Sequence, residues 1–216
     1  MKIGTDGVLL GAWTRLGDAR DIVDAGAGSA LISLMLAQRC PDARITAIEL
    51  DAAASIDARA NIDASPWADR VRLVDADFTT WNPAEPPTLI VSNPPFFSET
   101  LKSPSAGRAL ARHGETFNPY TLIDRASAIL AADGSLAMIS TAADGDDVLF
   151  HAELRGLKLR RECRVQTVAG KPVTRLLRQF ARTDGDCQVT TLTLRERSGA
   201  FTHAYRELTA DFYLHF

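Results

Sequence analysis

The chain has 216 residues, 46% of them hydrophobic, and a formal net charge of −3. That is material for one full core, and the near-neutral balance excludes a globally basic nucleic-acid coat, leaving a local patch as the only surface for such a partner. Three scattered cysteines, histidines without metal-ligand spacing, no basic-then-apolar leader and no apolar run near about twenty residues exclude a disulfide framework, a metal site and a membrane span, and read as a soluble cytoplasmic protein.

In chain order, Arg20–Ala25 predicts a short strand and Ser29–Arg39 a helix, with Ser29 as its N-cap. Ala43–Leu50 is the next strand and Asp51–Ile62 an alanine-rich helix. "RVRLVDA" and "TLIVSN" are further strands, "PYTLIDRASAILA" is a helix closed by Gly134, and "SLAMIST" is another strand. Strands alternating with helices imply βαβ units and a parallel sheet. After about residue 155 "LKLRRECRVQTV", "TRLLRQFART" and "CQVTTLTLRE" look like strands. Their connectors are too short for helical crossovers, which predicts antiparallel pairing. "AFTHAYRELTADFY" reads as a terminal helix, and the element-poor span from Phe97 to Asn118 as a functional or disordered loop. The whole is one domain over 1–216: a head segment (1–19), a βα core (20–155), and antiparallel strands with a terminal helix (156–216).

Four places carry chemistry, each at the carboxyl end of a predicted strand, where open α/β sheets bind ligands. In "VDAGAGSA" an acidic residue, Asp24, precedes Gly26 and Gly28, and the chain turns into a helix whose first N–H groups are free. Glycine turns are common, and nothing here excludes an ordinary strand-to-helix corner. Glu49, about twenty residues on, can accept from ribose hydroxyls, as acidic residues do in both NAD and S-adenosylmethionine sites; the bland reading is a solvated strand end. Asp77-Phe78 pairs an acceptor with a ring and suits an adenine; a turn Asp beside a core Phe is the plain alternative. Asn93-Pro94-Pro95-Phe96 is the sharpest signal. Two prolines stiffen the loop. The Asn93 amide oxygen and the Pro94 carbonyl can accept the two protons of an exocyclic amine, and Phe96 can stack on a base face.

These elements in this order resemble the class I S-adenosylmethionine-dependent methyltransferases with an Asn-Pro-Pro-aromatic loop. The head "MKIGTDGVLLGAW", "NIDASPWADRV" and the closing "AYRELTADFYL" are similar to the bacterial tRNA1(Val) adenine-N6 methyltransferases. The resemblance spans essentially the whole chain and implies a Rossmann-like fold: a mostly parallel seven-stranded sheet with an antiparallel C-terminal hairpin and helices on both faces. It implies methylation of the adenine at position 37 of tRNA1(Val), next to the anticodon. S-adenosylmethionine would be the methyl donor and S-adenosylhomocysteine the product, with no metal and no obligate protein partner. It assigns Thr5, Asp24, Gly26, Gly28, Glu49, Asp77, Phe78 and Asn93 to the cofactor, and Asn93 to Phe96 to the target amine.

Ala30 stands where the family commonly has Gly, Thr88 where it has Asp, and Phe96 where Tyr is frequent. The family usually carries a short segment ahead of the head motif, which leaves open whether an edge strand is missing here. For tRNA the candidate contacts are Lys171, Arg175 and Arg178, with Arg108 and Arg112 in the loop after Phe96; the bland reading is a solubilising sheet face. Guanine-N2 rRNA and release-factor glutamine-N5 methyltransferases share the loop, and a non-catalytic methyltransferase-fold subunit is the non-enzyme alternative. Intact Asn93 speaks against the last.

Overall fold

A computed structural model describes residues 4–96 and 117–214. In chain order the elements are α1 (Thr5–Trp13), β1 (Asp21–Ala25), α2 (Leu31–Arg39), β2 (Arg44–Glu49), α3 (Ala52–Asp63), β3 (Val71–Asp75) and β4 (Leu89–Ser92). After the gap come α4 (Pro119–Ile129), β5 (Ser135–Thr141), α5 (Gly145–Leu154), β6 (Lys158–Val168), β7 (Val173–Ala181), β8 (Gln188–Arg195) and α6 (His203–Thr209).

One sheet runs β3-β2-β1-β4-β5-β7-β6-β8. Strands β1 to β5 are mutually parallel, and β7 alone reverses, pairing antiparallel with β5 and β6. The mostly parallel Rossmann-like sheet is therefore present, with eight strands among the described residues where seven were expected. The added strand also corrects the expectation that every C-terminal pairing is antiparallel: β8 pairs parallel with β6. The β6–β7 hairpin inserts β7 between β5 and β6. A strand that follows β7 through a short connection finds only the outer edge of β6, and arrives there pointing the same way.

Side-chain alternation divides the core between the two faces. Ile22, Ile45, Leu89, Val91 and Ile139 pack with Leu10 and Trp13 of α1, Leu36 of α2 and Ala58 of α3. Val23, Ile48, Ile90, Leu136 and Met138 face Leu122 and Ile123 of α4 and Val148 of α5. Fully buried parallel strands of this kind read as continuous apolar runs because both faces are covered.

Two helix ends differ from expectation. The residue entering α2 is Ala30, not Ser29, and it has φ 62°, with no side chain capping the helix. Gly134 closes a turn onto Ala131, past the end of α4, whose C-cap is Leu130. Elsewhere capping follows ordinary chemistry. Asp51 accepts from Ala54 N–H at 2.8 Å, and Asn118 with Thr121 forms a reciprocal capping box before Pro119. The head segment forms a helix of its own, α1, buried from Gly7 to Trp13. No helix among the described residues is long and apolar enough to cross a membrane.

Candidate active site

The strand order reverses between β1 and β4, and the carboxyl ends of β2, β1 and β4 open onto one cleft there. The glycine turn is built on alternating positive φ at Gly26 (70°), Gly28 (57°) and Ala30 (62°). Gly26 and Ala27 N–H both donate to the Ile48 carbonyl, at 3.0 and 2.9 Å, which ties the turn to the end of β2. A Cβ on Gly26 would stand 2.7 Å from the Phe117 ring, so only glycine keeps this approach open.

Glu49 is no solvated strand end. Its Oε2 accepts from Gly28 N–H at 2.7 Å, and its Oε1 from Leu50 and Asp51 N–H at 2.9 and 2.8 Å. Three backbone donors fix the carboxylate plane, and Oε2 keeps a lone pair for a further donor. Asp77 is fixed similarly: Oδ1 accepts from Thr79 N–H and Oγ1 at 2.8 and 2.7 Å, while Oδ2 takes no hydrogen bond among the described residues. Between these two acceptors lies a cavity of about 430 Å3 walled by Ile48, Leu50, Ala76, Phe78 and Phe117. Phe78 is both core residue and wall, with its ring edge-on to Phe117 at 6.0 Å. Phe117, Ile48 and Leu50 were not legible as site residues, because they belong to no motif. Only the placement of Leu50 directly after Glu49, 68% exposed although apolar, carries a signal.

A second cavity, of about 470 Å3, shares Gly26, Glu49, Asp51 and Phe117 with the first. It continues past Gly28, Ser29 and Leu31 to Gly4 and Gly7 of the head and to Asn93 and Pro95. Thr5, adjoining Gly4, is exposed and does not line it. Asp24 lies beneath the turn, fully buried, with Oδ2 accepting from Ser33 N–H and Oγ at 3.0 and 2.7 Å. It thereby anchors the first turn of α2. Its Oδ1 is buried without a partner, and burial, against the Ser33 hydrogen bonds, pushes the carboxyl up to about 6.

The Asn93 side chain is half-buried at the end of β4 and makes no hydrogen bond among the described residues. The strand end beneath it is held by Ser92 Oγ donating to the Ala25 carbonyl at 2.7 Å. Pro94 is buried and Pro95 exposed. Phe96 is 7% exposed, with the Arg175 guanidinium 4.7 Å from its ring centroid, so one face of the ring is covered.

The chain matches the methyltransferase small domain over residues 4–161. It is 40% identical to the tRNA1(Val) (adenine(37)-N6)-methyltransferase of Aeromonas hydrophila, over 99% of this chain and 91% of that one. It is 39% identical to the enzyme of the same name from Phocaeicola vulgatus, over 99% and 91%. The chain belongs to the tRNA1(Val) (adenine(37)-N6)-methyltransferase family. Solved structures share the fold of this family member at lower identity. The crystal structure of "a predicted O-methyltransferase" from Agrobacterium tumefaciens has TM-score 0.72 at 20% identity, covering 95% of this chain and 96% of that one. A glycopeptide N-methyltransferase complexed with S-adenosylmethionine has TM-score 0.60 at 12% identity, covering 84% and 100%.

The residues of the cleft fit an adenosyl group. Glu49 Oε2 can take a ribose hydroxyl, the apolar walls admit a flat base, and Asp77 Oδ2 can accept from an exocyclic amine. Among the described residues no group of three or more His, Cys, Asp or Glu is placed to hold a metal ion.

The basic residues expected to meet tRNA do not form one patch. Arg178 is a correction: it is 4% exposed, with Nε donating to Glu162 Oε2 at 2.8 Å and Nη1 donating to the Gly145 carbonyl. A guanidinium this buried, with Nε and Nη1 engaged inside the protein, has no face for a phosphate. Burial pushes the partner carboxyl of Glu162 up, but hydrogen bonds from Arg164 and Arg178 outweigh it and hold the group below its ordinary value. Arg175 is ion-paired to Asp6. Lys171 is exposed in the β6–β7 turn and makes no ion pair among the described residues. Arg108 and Arg112 lie outside the described residues.

Proposed function

We propose that this protein transfers a methyl group from S-adenosylmethionine to N6 of the adenine at position 37 of tRNA1(Val). The observation that carries the reading is the Asn93 amide, uncommitted among the described residues and lining the cavity that joins the adenosyl cleft to the head helix. S-adenosylmethionine supplies an electrophilic methyl group on a sulfonium sulfur and leaves as S-adenosylhomocysteine. Glu49, Asp77 and the Phe78–Phe117 wall would hold the nucleoside half, and Gly26 and Gly28 would let the backbone approach the rest. Asp24 holds the turn from beneath.

An adenine amine is a poor nucleophile because its lone pair is delocalised into the ring. The Asn93 side-chain oxygen and the Pro94 carbonyl accept its two protons and turn the lone pair toward the methyl group. Attack by that lone pair on a sulfonium methyl would form the N–C bond as the methyl–sulfur bond breaks, and the cationic nitrogen would then lose a proton to water. No general base is needed in the loop, and orientation by rigid acceptors is the main contribution. A base must leave its stack to reach this pocket.

The grip on the flanking backbone is sought at the carboxyl end of the sheet. The β6–β7 turn with Lys171 and the segment after β8 with Arg197 both lie there, and the Arg197 side chain folds over Gly170 of that turn. Three to four strand spacings separate this corner from β4, roughly 15–20 Å, which phosphates beside a flipped nucleotide span. The test of the reaction is nucleoside analysis of bulk tRNA after incubation with protein and methyl-labelled cofactor. Labelled N6-methyladenosine is expected. Label in N2-methylguanosine, or in a release factor and not in RNA, would overturn it.

A further inference from the structure

Strands β1 and β4 are parallel neighbours at the switch point, and the chain leaves their carboxyl ends in two directions. Past Ala25 it enters the glycine turn, and past Ser92 it enters the loop of Asn93. The ladder between the two strands ends at Asp24 and Val91, one pair short of Ala25 and Ser92. On its other side β4 stays paired with β5 through Ser92 and Met138. The Ser92 hydroxyl spans the place where the first ladder stops, donating to the Ala25 carbonyl at 2.7 Å. Both residues are fully buried. All four residues of β4 are buried, and Ser92 is the polar one among them. A hydroxyl is costly to bury unless it is hydrogen-bonded, so a serine here runs against the apolar preference of the strand and is offset by this bond. The glycine turn is thus held from both neighbouring strands, by the Ile48 carbonyl of β2 and by Ser92 of β4.

We propose that Ser92 is a positioning residue for methyl transfer: its hydroxyl, bound to the Ala25 carbonyl, sets the separation between Asn93 and the glycine turn. This rests on the reading of the loop as the amine-binding site. Asn93 follows Ser92 directly and Gly26 follows Ala25 directly, and both line one cavity. A shift at this contact therefore passes to both sides of the site. The two prolines make the loop stiff, so it moves as a body with its base. Transfer needs the amine about 3–3.5 Å from the carbon it attacks, and a misplacement of about 1 Å can cost about a hundredfold in rate. Without the hydroxyl the two strand ends are free to part, and the Ala25 carbonyl loses this donor.

The test is steady-state kinetics on tRNA for the parent, Ser92→Ala, Asn93→Ala and their double variant, with cofactor Kd and thermal unfolding measured for each. Ser92→Ala is expected to lower kcat by about tenfold, with KM for tRNA and Kd for the cofactor within about twofold of the parent. Because Ser92 acts through Asn93, the double variant should be slower than Asn93→Ala by no more than about twofold. Should Ser92→Ala fail to fold, Ser92→Cys carries the test: its thiol is a weaker donor, and a smaller loss of kcat in the same pattern is expected. Parental kcat in folded Ser92→Ala, with only a lower melting temperature, would overturn the inference and leave the bond a stabilising one alone. A further tenfold loss in the double variant beyond Asn93→Ala would overturn it too, since Ser92 would then act independently of Asn93. A cofactor Kd that rises in step with the loss of kcat would also overturn it, by placing the effect in the glycine turn. If Ser92→Ala is parental while Asn93→Ala is crippled, this inference alone fails. A parental Asn93→Ala overturns the reading of the loop as well.

Discussion

At the scale of single residues, Asp24 is the most exacting case. A carboxyl with one oxygen orphaned in the core has its pKa raised to about 6 from 3.8. Between those values the folded state binds more protons than the unfolded one. Stability therefore falls as pH rises through that window and is level above it, a penalty of about 3 kcal/mol at neutral pH. Asp24→Asn keeps an oxygen for Ser33 and cannot ionise. It should be more stable than the parent at pH 7, with the advantage shrinking toward zero near pH 4. Urea unfolding of both proteins across that range checks this, and a difference independent of pH would show that the carboxylate is solvated in the fold. Asn93 belongs to the same scale. Asn93→Ala should lower kcat by about a hundredfold or more with cofactor Kd unchanged, because it removes an acceptor and no cofactor wall. The motif residues Gly26, Gly28, Glu49, Asp77 and Asn93 were legible because each chemistry needs a fixed residue type at a strand end. Phe117 was not, because any large apolar side chain could close the cleft there. The fate of Arg178 was hidden too, since its partner Glu162 comes from a neighbouring strand.

At the scale of elements, the turn into α2 shows how an alanine is accommodated in a left-handed position that favours glycine. An alanine at φ 62° is strained by roughly 1–2 kcal/mol. Glycine would relieve that strain, but it costs about 0.4–1 kcal/mol in unfolded-chain entropy and about 0.8 kcal/mol for the lost buried methyl. The terms nearly cancel, because the Ala30 side chain is fully buried in the core. Ala30→Gly should therefore change stability by less than about 1 kcal/mol, whereas Ala30→Val, β-branched in a left-handed site, should cost more than about 2 kcal/mol. Chemical denaturation separates the two, and a tolerated valine would show that the turn is not held by its packing. The strands were legible from their apolar runs. The head helix was not, because α1 is buried almost all round and shows no amphipathic period.

At the scale of the molecule, parallel order in the first five strands follows from long crossovers, helical at α2, α3 and α4, which the sequence displays, and non-helical over residues 76–88 between β3 and β4. The place of β8 does not, because it depends on which sheet edge the β6–β7 hairpin leaves open. That same arrangement brings Lys171 and Arg197 together at the carboxyl end while burying Arg178 in the sheet. Lys171→Glu with Arg197→Glu should weaken tRNA binding and reduce the slope of log affinity against log salt by about 1.5, two phosphate contacts' worth, at unchanged cofactor affinity. Superimposable salt series would return this corner to a plain solvated rim. By contrast, Arg178→Ala should cost stability, by less than the roughly 3–5 kcal/mol of a fully orphaned charge because buried Glu162 keeps its hydrogen bond from Arg164, and a thermal melt reads that directly. The central claim, that this cleft and loop methylate one adenine, is tested most directly with two transcripts of tRNA1(Val), one with adenine and one with guanine at position 37. Labelled methyl groups should enter the first and not the second, and Asn93→Ala should label neither at a comparable rate. Equal labelling of the two transcripts, or full labelling by Asn93→Ala, would contradict the account.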